Sequence, residues 1–282
     1  MKRTGSNDMG RLIKMALAGM VASVLMSGGA MAAADGKTAP IMNSGDHPLE
    51  EVWSGYRFAK PETQATQDDD FENPANLWTE QGEAIWSKVE GEEKKSCQSC
   101  HNDAKASMKG VSTRYPVYYG PWKKLINLEQ RINLCRTKFM KAKKLKWKSN
   151  ELLGITIYVA KQSKGMPTAI EVNAQTKPFW EKGKKHYYTR RGQLDMACAH
   201  CHEKYPGGQL RSNILSQGQA NGFPTYRLKW QKPGSIQRRF KGCNKQVRAK
   251  PYKMGSDEYI NLEHYVRWRG NGLPVETPSV RN

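Results

Sequence analysis

Two short strings, 101 residues apart, constrain the fold of this 282-residue chain more than any other feature. They are Cys97-Gln98-Ser99-Cys100-His101 and Cys198-Ala199-His200-Cys201-His202, and both have the form C-x-x-C-H that attaches c-type haem. A structural zinc site would need further ligands at matching spacings, and a redox dithiol would not need the histidine that follows both pairs. The sequence therefore predicts two covalently bound haem c groups, with the four cysteines as attachment points and His101 and His202 as iron ligands.

The N-terminus has the order of a secretory signal peptide. Four Lys and Arg residues precede an apolar run over residues 15–26, and Ala30-Met31-Ala32 then offers a cleavage site between small residues. The run is too short to span a membrane, and no other stretch of the sequence is long and apolar enough to do so. We expect residues 1–32 to be removed on export and the protein to be periplasmic, in agreement with the attachment of haem c outside the cytoplasm.

The charge is strongly positive and unevenly distributed. The formal net charge is +20, and residues 204–256 contain twelve Lys and Arg but no Asp or Glu. A charge run of this kind is often only a solvated basic surface. Nucleic acid is the default partner of a basic protein, but an exported haem protein seldom meets it. We therefore predict no nucleic acid partner and favour an anionic substrate or an acidic protein partner.

An internal repeat aligns with the two haem motifs. Gly82 and Gly183 each lie fifteen residues before the first cysteine of their motif, and Trp86 and Tyr187 follow these glycines by four. Apolar spacing predicts helices over residues 77–89 and 179–188 before the motifs, and closing helices over 151–162 and 257–268 after a long irregular stretch. We predict an all-α fold of two tandem cytochrome c-like domains, over residues 76–175 and 176–282, preceded by an extended N-terminal arm over residues 33–75.

Two cysteines, Cys135 and Cys243, remain outside the haem motifs. Two spare cysteines in an exported protein commonly form a disulfide. However, Cys135 follows His101 by 34 residues and Cys243 follows His202 by 41. Each half of the repeat therefore contains one spare cysteine, at the place where a cytochrome c domain presents its sixth iron ligand. Both interpretations stay open at this point, although the equivalent positions favour ligands.

The other candidates for a sixth ligand lack partners in the repeat. Met166 has Leu273 at the matching position, and Leu273 cannot bind iron. The histidines outside the ligand positions have no equivalents in the other half and are expected to be structural or surface residues; they are His47, His186, His200 and His264.

Cations surround both spare cysteines in the sequence. Those near Cys243 are Arg238, Arg239, Lys241, Lys245, Arg248 and Lys250, and those near Cys135 are Arg131, Arg136 and Lys138. Nearby positive charge stabilises a thiolate over a thiol, which makes the sulfur available as a ligand or nucleophile. The absence of carboxylates around Cys243 makes it the stronger candidate for chemistry.

Longer strings carry a family resemblance that runs from the predicted arm to the C-terminus. They are Ser54-Gly55-Tyr56, Pro61-Glu62-Thr63, Gln67-Asp68-Asp69-Asp70-Phe71, Asn73-Pro74, Arg131-Ile132-Asn133-Leu134-Cys135-Arg136-Thr137, and, most specific, Arg239-Phe240-Lys241-Gly242-Cys243-Asn244-Lys245-Gln246-Val247-Arg248-Ala249 followed by Pro251-Tyr252. On these strings the chain resembles the SoxA family, the dihaem subunits of the SoxAX cytochrome of bacterial sulfur oxidation.

The resemblance implies specific roles. Cys135 would be the second axial ligand of haem 1 and Cys243 that of haem 2. Cys243 would also be the active-site residue, as a thiolate or a persulfide, with Arg239 contacting substrate and Arg248 as a further candidate. The implied reaction is the oxidative transfer of thiosulfate onto a cysteine of the carrier protein SoxYZ, with two electrons passed to haem. The implied partner is SoxX, a monohaem cytochrome c, in a heterodimer.

Three other functions are compatible with the same sequence. A periplasmic dihaem electron carrier would keep Cys243 as a static ligand. A thiosulfate dehydrogenase would join two thiosulfates to tetrathionate without a carrier protein. A docking subunit would use its basic surface only to recruit an acidic partner.

Overall fold

The computed structural model describes residues 35–43 and 46–282, so the predicted signal peptide lies outside the described residues. The helices are α1 (Pro61–Asp68), α2 (Asn76–Ser87), α3 (Cys97–His101), α4 (Ala104–Ser107), α5 (Leu128–Phe139), α6 (Asn150–Lys161), α7 (Lys177–Tyr188), α8 (Cys198–His202), α9 (Ile236–Gln246) and α10 (Asp257–Trp268). Within these residues, no helix combines the length and the apolar character that crossing a bilayer requires.

Nine short strands form four small sheets in the described residues. They are β1 (Ile41–Met42), β2 (Glu51–Val52), β3 (Val117–Tyr119), β4 (Lys124–Ile126), β5 (Gln209–Leu210), β6 (Asn213–Ile214), β7 (Thr225–Arg227), β8 (Lys232–Gly234) and β9 (Ser279–Arg281). Three sheets are antiparallel pairs of consecutive strands, and the fourth has the order β8-β7-β9 with β9 parallel to β7. The prediction of an all-α fold is therefore wrong, although the helices form the core.

Two crossed helix pairs, α2 with α6 and α7 with α10, build the two halves. A Cβ on Gly82 would lie 2.2 Å from the carbonyl oxygen of Gly154, and one on Gly183 would lie 2.1 Å from that of Asn261. Only glycine lets the backbones come this close. The predicted helices before and after the haem motifs are confirmed, and the aligned glycines of the repeat are the points where they cross.

The sequence predicts an irregular stretch between each haem motif and its closing helix. The structure shows regular elements there instead. Each half has a hairpin, β3–β4 or β7–β8, followed by a helix, α5 or α9, that carries the spare cysteine. Asn127 and Ser235 begin these helices, because each side chain accepts a hydrogen bond from a backbone N–H of the first turn. Strands of three residues are too short for an alternating pattern to predict them.

Residues 46–75, predicted as part of an extended arm, contain β2 and α1 and contact the second half. The backbone N–H of Trp53 donates to Gln217 Oε1 at 2.7 Å, and Asn73 Nδ2 donates to the carbonyl of Pro278 at 3.0 Å. Val52 and Ser54 are fully buried in this packing. The segment thereby closes the same half that carries Cys243.

The two halves meet through backbone hydrogen bonds and a buried polar cluster. Thr168 N–H donates to the Leu273 carbonyl at 2.8 Å, in the segments that follow the two closing helices. In the buried polar cluster, Asn127 Nδ2 donates to Glu263 Oε2 at 3.0 Å, and Glu129 lies buried beside this carboxylate. Burial, together with the charge of Glu263, raises the pKa of Glu129 to about 8.

Candidate active site

The two haem motifs form short helices whose ends are held by local hydrogen bonds. In α3, Ser99 Oγ accepts from the backbone N–H of Ser96 at 3.0 Å. In α8, the equivalent bond is made by His200, whose Nδ1 accepts from the backbone N–H of Ala197 at 2.9 Å. His200 is therefore a structural residue of the haem turn, as expected.

A cavity of about 380 Å³ brings the second haem motif and Cys243 together. Its lining includes Cys198, Cys201, His202 and Cys243, which come from α8 and α9. His202 Nδ1 donates to the carbonyl of Ser216 at 2.7 Å, and this bond leaves Nε2 as the ring nitrogen available for a ligand.

The donor set of this site fits haem c. Gly218, with φ +79°, packs against the imidazole, and a Cβ there would lie only 2.8 Å from His202 Cγ. This contact holds the ring in place. Cys243 lies close to His202, so the two residues that would bind the iron of one haem belong to the same site. An imidazole and a thiolate are both ligands of haem iron in proteins.

The electrostatic environment of Cys243 differs from that of the other cysteines. Burial raises the pKa of Cys97 to about 11 and that of Cys198 to about 12. At Cys243 burial acts in the same direction, but the charge of Arg239, the contact with His202 and the charge of Arg227 outweigh it and bring the pKa to about 7. Cys243 is therefore ionised more readily at neutral pH than Cys97 or Cys198.

Arg239 reaches the cavity because it lies four residues before Cys243 on α9, which places both on one side of the helix. The cavity lining, all within the described residues, contains five arginines and no Asp or Glu; the arginines are Arg191, Arg211, Arg227, Arg239 and Arg281. The side chains of the protein therefore place net positive charge around Cys243.

The other cations predicted around Cys243 are spread around α9. Arg238 lies over the Trp230 ring at 4.0 Å, and Arg248 is exposed beyond the C-terminal end of the helix with φ 57°. Neither lines the cavity, and the same is true of Lys241, Lys245 and Lys250. Counting the cations next to Cys243 in the sequence therefore overestimates the positive charge at its sulfur. A helix directs successive side chains to different sides, so most of these cations point away from the cavity.

Sequence reasoning missed Arg227. It lies on β7, is buried, and its guanidinium donates to Asn213 Oδ1 at 3.1 Å while lining the cavity. In the sequence, the one feature that could have pointed to Arg227 is its position within residues 204–256, which contain no Asp or Glu.

The first haem motif has an equivalent but weaker arrangement. Cys135 on α5 lies near Cys97 and Cys100, and burial raises its pKa, an effect that Arg131 only partly offsets. The Trp86 ring packs against His101 at 5.9 Å between centroids. All six cysteines are free, and Cys135 and Cys243 each lie near a different motif, so the disulfide interpretation finds no support.

The remaining histidines and Met166 have other surroundings. His47 Nε2 donates to the Arg269 carbonyl at 3.0 Å, a structural contact between the N-terminal segment and the second half. Burial lowers the pKa of both His186 and His264 to about 4, so both are neutral at physiological pH. The Met166 carbonyl accepts from the N–H of Val275 at 2.9 Å, in the contact between the halves.

Two similar halves, each with a haem motif between crossed helices and a cysteine on a following helix, define a two-domain c-type cytochrome. The family model for the SoxA/TsdA cytochrome c domain matches residues 81–168 and 182–275, which are the two halves of the repeat. The chain belongs to the SoxA family.

Several known relatives support this assignment. L-cysteine S-thiosulfotransferase subunit SoxA of Pseudaminobacter salicylatoxidans is 47% identical over 236 residues, which cover 83% of this chain and 82% of the relative. The subunit of the same name from Rhodovulum sulfidophilum is 39% identical over 280 residues, covering 93% and 98%. The crystal structure of SoxXA from P. pantotrophus matches with a TM-score of 0.80 and 40% identity, covering 83% of this chain and 89% of that one.

Proposed function

We propose that the cavity around Cys243 is the catalytic centre of an L-cysteine S-thiosulfotransferase that acts in thiosulfate oxidation. The relatives named above carry this activity in their names. The observation that supports the location is the pairing of an ionisable thiol with arginines in a cavity whose described lining contains no carboxylate. An anionic substrate and an anionic nucleophile can share such a site at low electrostatic cost.

Two haem c groups would be held covalently, one in each half. Haem 1 would be attached to Cys97 and Cys100, with His101 and Cys135 as iron ligands; haem 2 would be attached to Cys198 and Cys201, with His202 and Cys243 as ligands. When bound, haem supplies a one-electron acceptor close to the reacting sulfurs.

Arg239 would bind the sulfonate end of thiosulfate and orient the outer sulfur toward the reacting position. The carrier cysteine loses its thiol proton, its sulfur forms one S–S bond with the outer sulfur of thiosulfate, and two electrons are released. Cys243 would act as thiolate or persulfide in this step, since Arg239 and Arg227 stabilise its anion. Arg227 takes the supporting role for which Arg248 had been a candidate, because Arg248 does not line the cavity.

The partners follow from the same family. The chain pairs with a SoxX-type monohaem cytochrome c, as in the SoxXA structure it resembles, and the acceptor is a cysteine of the SoxYZ carrier. We further propose that residues 1–32 are a cleaved signal peptide, that the protein is periplasmic, and that residues 33–75, 76–175 and 176–282 are an arm and two haem domains.

Intact mass measurement of the purified protein, followed by peptide mapping around Cys243, tests the cofactor assignment. Two haem additions and one extra sulfur atom on the Cys243 peptide are expected. A Cys135–Cys243 disulfide would exclude both ligand assignments.

The activity is tested with the SoxX heterodimer, thiosulfate and SoxYZ. Cys243→Met keeps a possible iron ligand but removes the reactive thiol, so it should retain electron exchange and lose conjugate formation. Conjugate formation at the wild-type rate in Cys243→Met would refute the catalytic role of Cys243. Electron exchange without conjugate formation in the wild-type heterodimer would favour a simple electron carrier, and tetrathionate formed from thiosulfate alone would favour a thiosulfate dehydrogenase.

A further inference from the structure

Each half of the repeat contains a side-chain contact between the turn before its haem motif and the residue after its spare cysteine. Glu90 and Arg191 each lie seven residues before the first cysteine of a haem motif, and the backbone of each pairs with the residue five positions later. Arg136 and Asn244 each directly follow a spare cysteine, on α5 and α9. Arg136 binds Glu90, and Arg191 binds Asn244. We call this pairing the turn–helix contact.

The backbone around the turn–helix contact is alike in the two halves. A Cβ on Gly91 would collide with the carbonyl oxygen of Met140, and one on Gly192 would collide with that of Val247. Met140 and Val247 are the residues at which α5 and α9 end. Only glycine permits this approach, so the turn before each haem motif packs directly on the end of the helix that carries the spare cysteine.

The two turn–helix contacts differ in charge. In the first half, Arg136 is buried and its Nη1 lies 2.6 Å from Glu90 Oε2, which makes an ion pair. In the second half the cation lies on the turn, where Arg191 Nη1 donates to the uncharged side chain of Asn244. Arg191 has no ion-pair partner among the described residues. A carboxylate in place of the Asn244 amide would add a negative charge next to Cys243, whereas the amide accepts the same hydrogen bond without it.

Further contacts fix both partners of the second turn–helix contact. Arg191 Nη2 donates to the Lys250 carbonyl at 2.9 Å, and the guanidinium lies over the Tyr252 ring at 4.5 Å. Asn244 Nδ2 donates to the Phe240 carbonyl at 2.8 Å. A planar guanidinium can bind two acceptors in one fixed geometry, which an ammonium group cannot do. Arg191 therefore joins the turn before the haem motif to α9 and to the segment that follows α9.

We propose that Arg191 is a positioning residue for the reaction at Cys243. By binding Asn244 and the segment after α9, it holds the reactive sulfur at a fixed place relative to the second haem motif, and it does so without a carboxylate beside an anionic substrate. This inference rests on the proposed function, because it takes the same thiol and the same substrate. The role differs from that of Arg239, which would bind the substrate itself.

Arg191→Gln tests the inference in the SoxX heterodimer. Displacement of a reacting group by about 1 Å can lower a rate about 100-fold, so kcat for conjugate formation should fall by about tenfold to 100-fold, with the thiosulfate KM within about twofold of wild type. The absorption and EPR signals of haem 2 should change as well, because the helix that carries Cys243 is no longer held. Arg191→Lys keeps the charge but not both hydrogen bonds, so it should restore little of kcat.

Arg136→Gln is the matched control, because it removes the turn–helix contact of the first half. It should alter the signals of haem 1 and leave the thiosulfate kinetics as in wild type. Asn244→Asp tests the reason for the amide. It keeps an acceptor for Arg191, so the signals of haem 2 should be retained, whereas the added negative charge beside Cys243 should raise the thiosulfate KM.

Several results would overturn the inference. Wild-type kinetics in Arg191→Lys would mean that Arg191 acts through its charge alone, and loss of haem 2 from the mass of Arg191→Gln would make it a haem-binding residue. Equal losses of kcat in Arg136→Gln and Arg191→Gln would indicate a general effect on stability. An unchanged thiosulfate KM in Asn244→Asp would refute the reason given for the amide. Wild-type protein that forms no conjugate would instead refute the proposed function, so the two failures are distinguishable.

Discussion

Arg238 and Arg239 are neighbours on α9 with different surroundings, and they provide a matched test of the substrate site. Arg239 lines the cavity four residues before Cys243. Arg238 lies over Trp230 at 4.0 Å and donates to the Pro233 carbonyl at 3.3 Å, outside the cavity lining. Both carry one positive charge, so replacing either with Gln changes the net charge of the protein equally.

The expected cost follows from the contact that Arg239 makes in the proposed complex. Loss of one hydrogen bond to a charged group costs roughly 1.5–3 kcal/mol, which is about 10- to 150-fold in kcat/KM for thiosulfate. Arg239→Gln also removes the largest influence that opposes burial at Cys243, so the pKa of this thiol should rise above its present value of about 7. Arg238→Gln should stay within about twofold of wild type, because the substrate does not touch it.

Steady-state conjugation of SoxYZ over a range of thiosulfate concentrations measures both variants, and absorption spectra check the haem sites. Equal losses in the two variants would mean that thiosulfate responds to the general positive field rather than to a contact with Arg239. Wild-type kinetics in Arg239→Gln would refute the assigned role outright.

Three further variants test other parts of the structure. Gly183→Ala should lower the free energy of unfolding by about 1–3 kcal/mol in a denaturant titration, because its Cβ would meet the Asn261 carbonyl at 2.1 Å; stability equal to wild type would contradict the crossing geometry. Burial beside Glu263 raises the pKa of Glu129 to about 8, so the native state holds a proton that the unfolded chain releases, and this stabilisation is lost as the pH rises through 8. Glu129→Gln should therefore show a smaller loss of stability than wild type between about pH 5 and pH 9, and an identical pH profile would exclude Glu129 as the source. Arg227→Gln should reduce kcat/KM for thiosulfate by roughly tenfold, about 1.4 kcal/mol, since it removes a cation facing Cys243; an unchanged value would leave Arg227 a structural role only.

Much of the architecture could be predicted from local patterns. The haem motifs, the glycines at the helix crossings and the equivalence of Cys135 with Cys243 are all visible in the order of residues. They are visible because each depends on a short covalent motif or on a period of a few residues, which the sequence states directly. The strands and the cysteine-bearing helices were missed, since they are short and depend on caps and tertiary contacts more than on periodicity.

The composition of the site was decided by the tertiary structure. The sequence determined that cations are dense and carboxylates absent around Cys243, but the rotation of α9 determined that Arg239 enters the cavity while Arg238 lies on Trp230. Arg227 joined the site from a strand sixteen residues away, and Arg211 joined it from a turn still more distant. Charge acts through space, so which charges reach a sulfur depends on how separate elements pack around it.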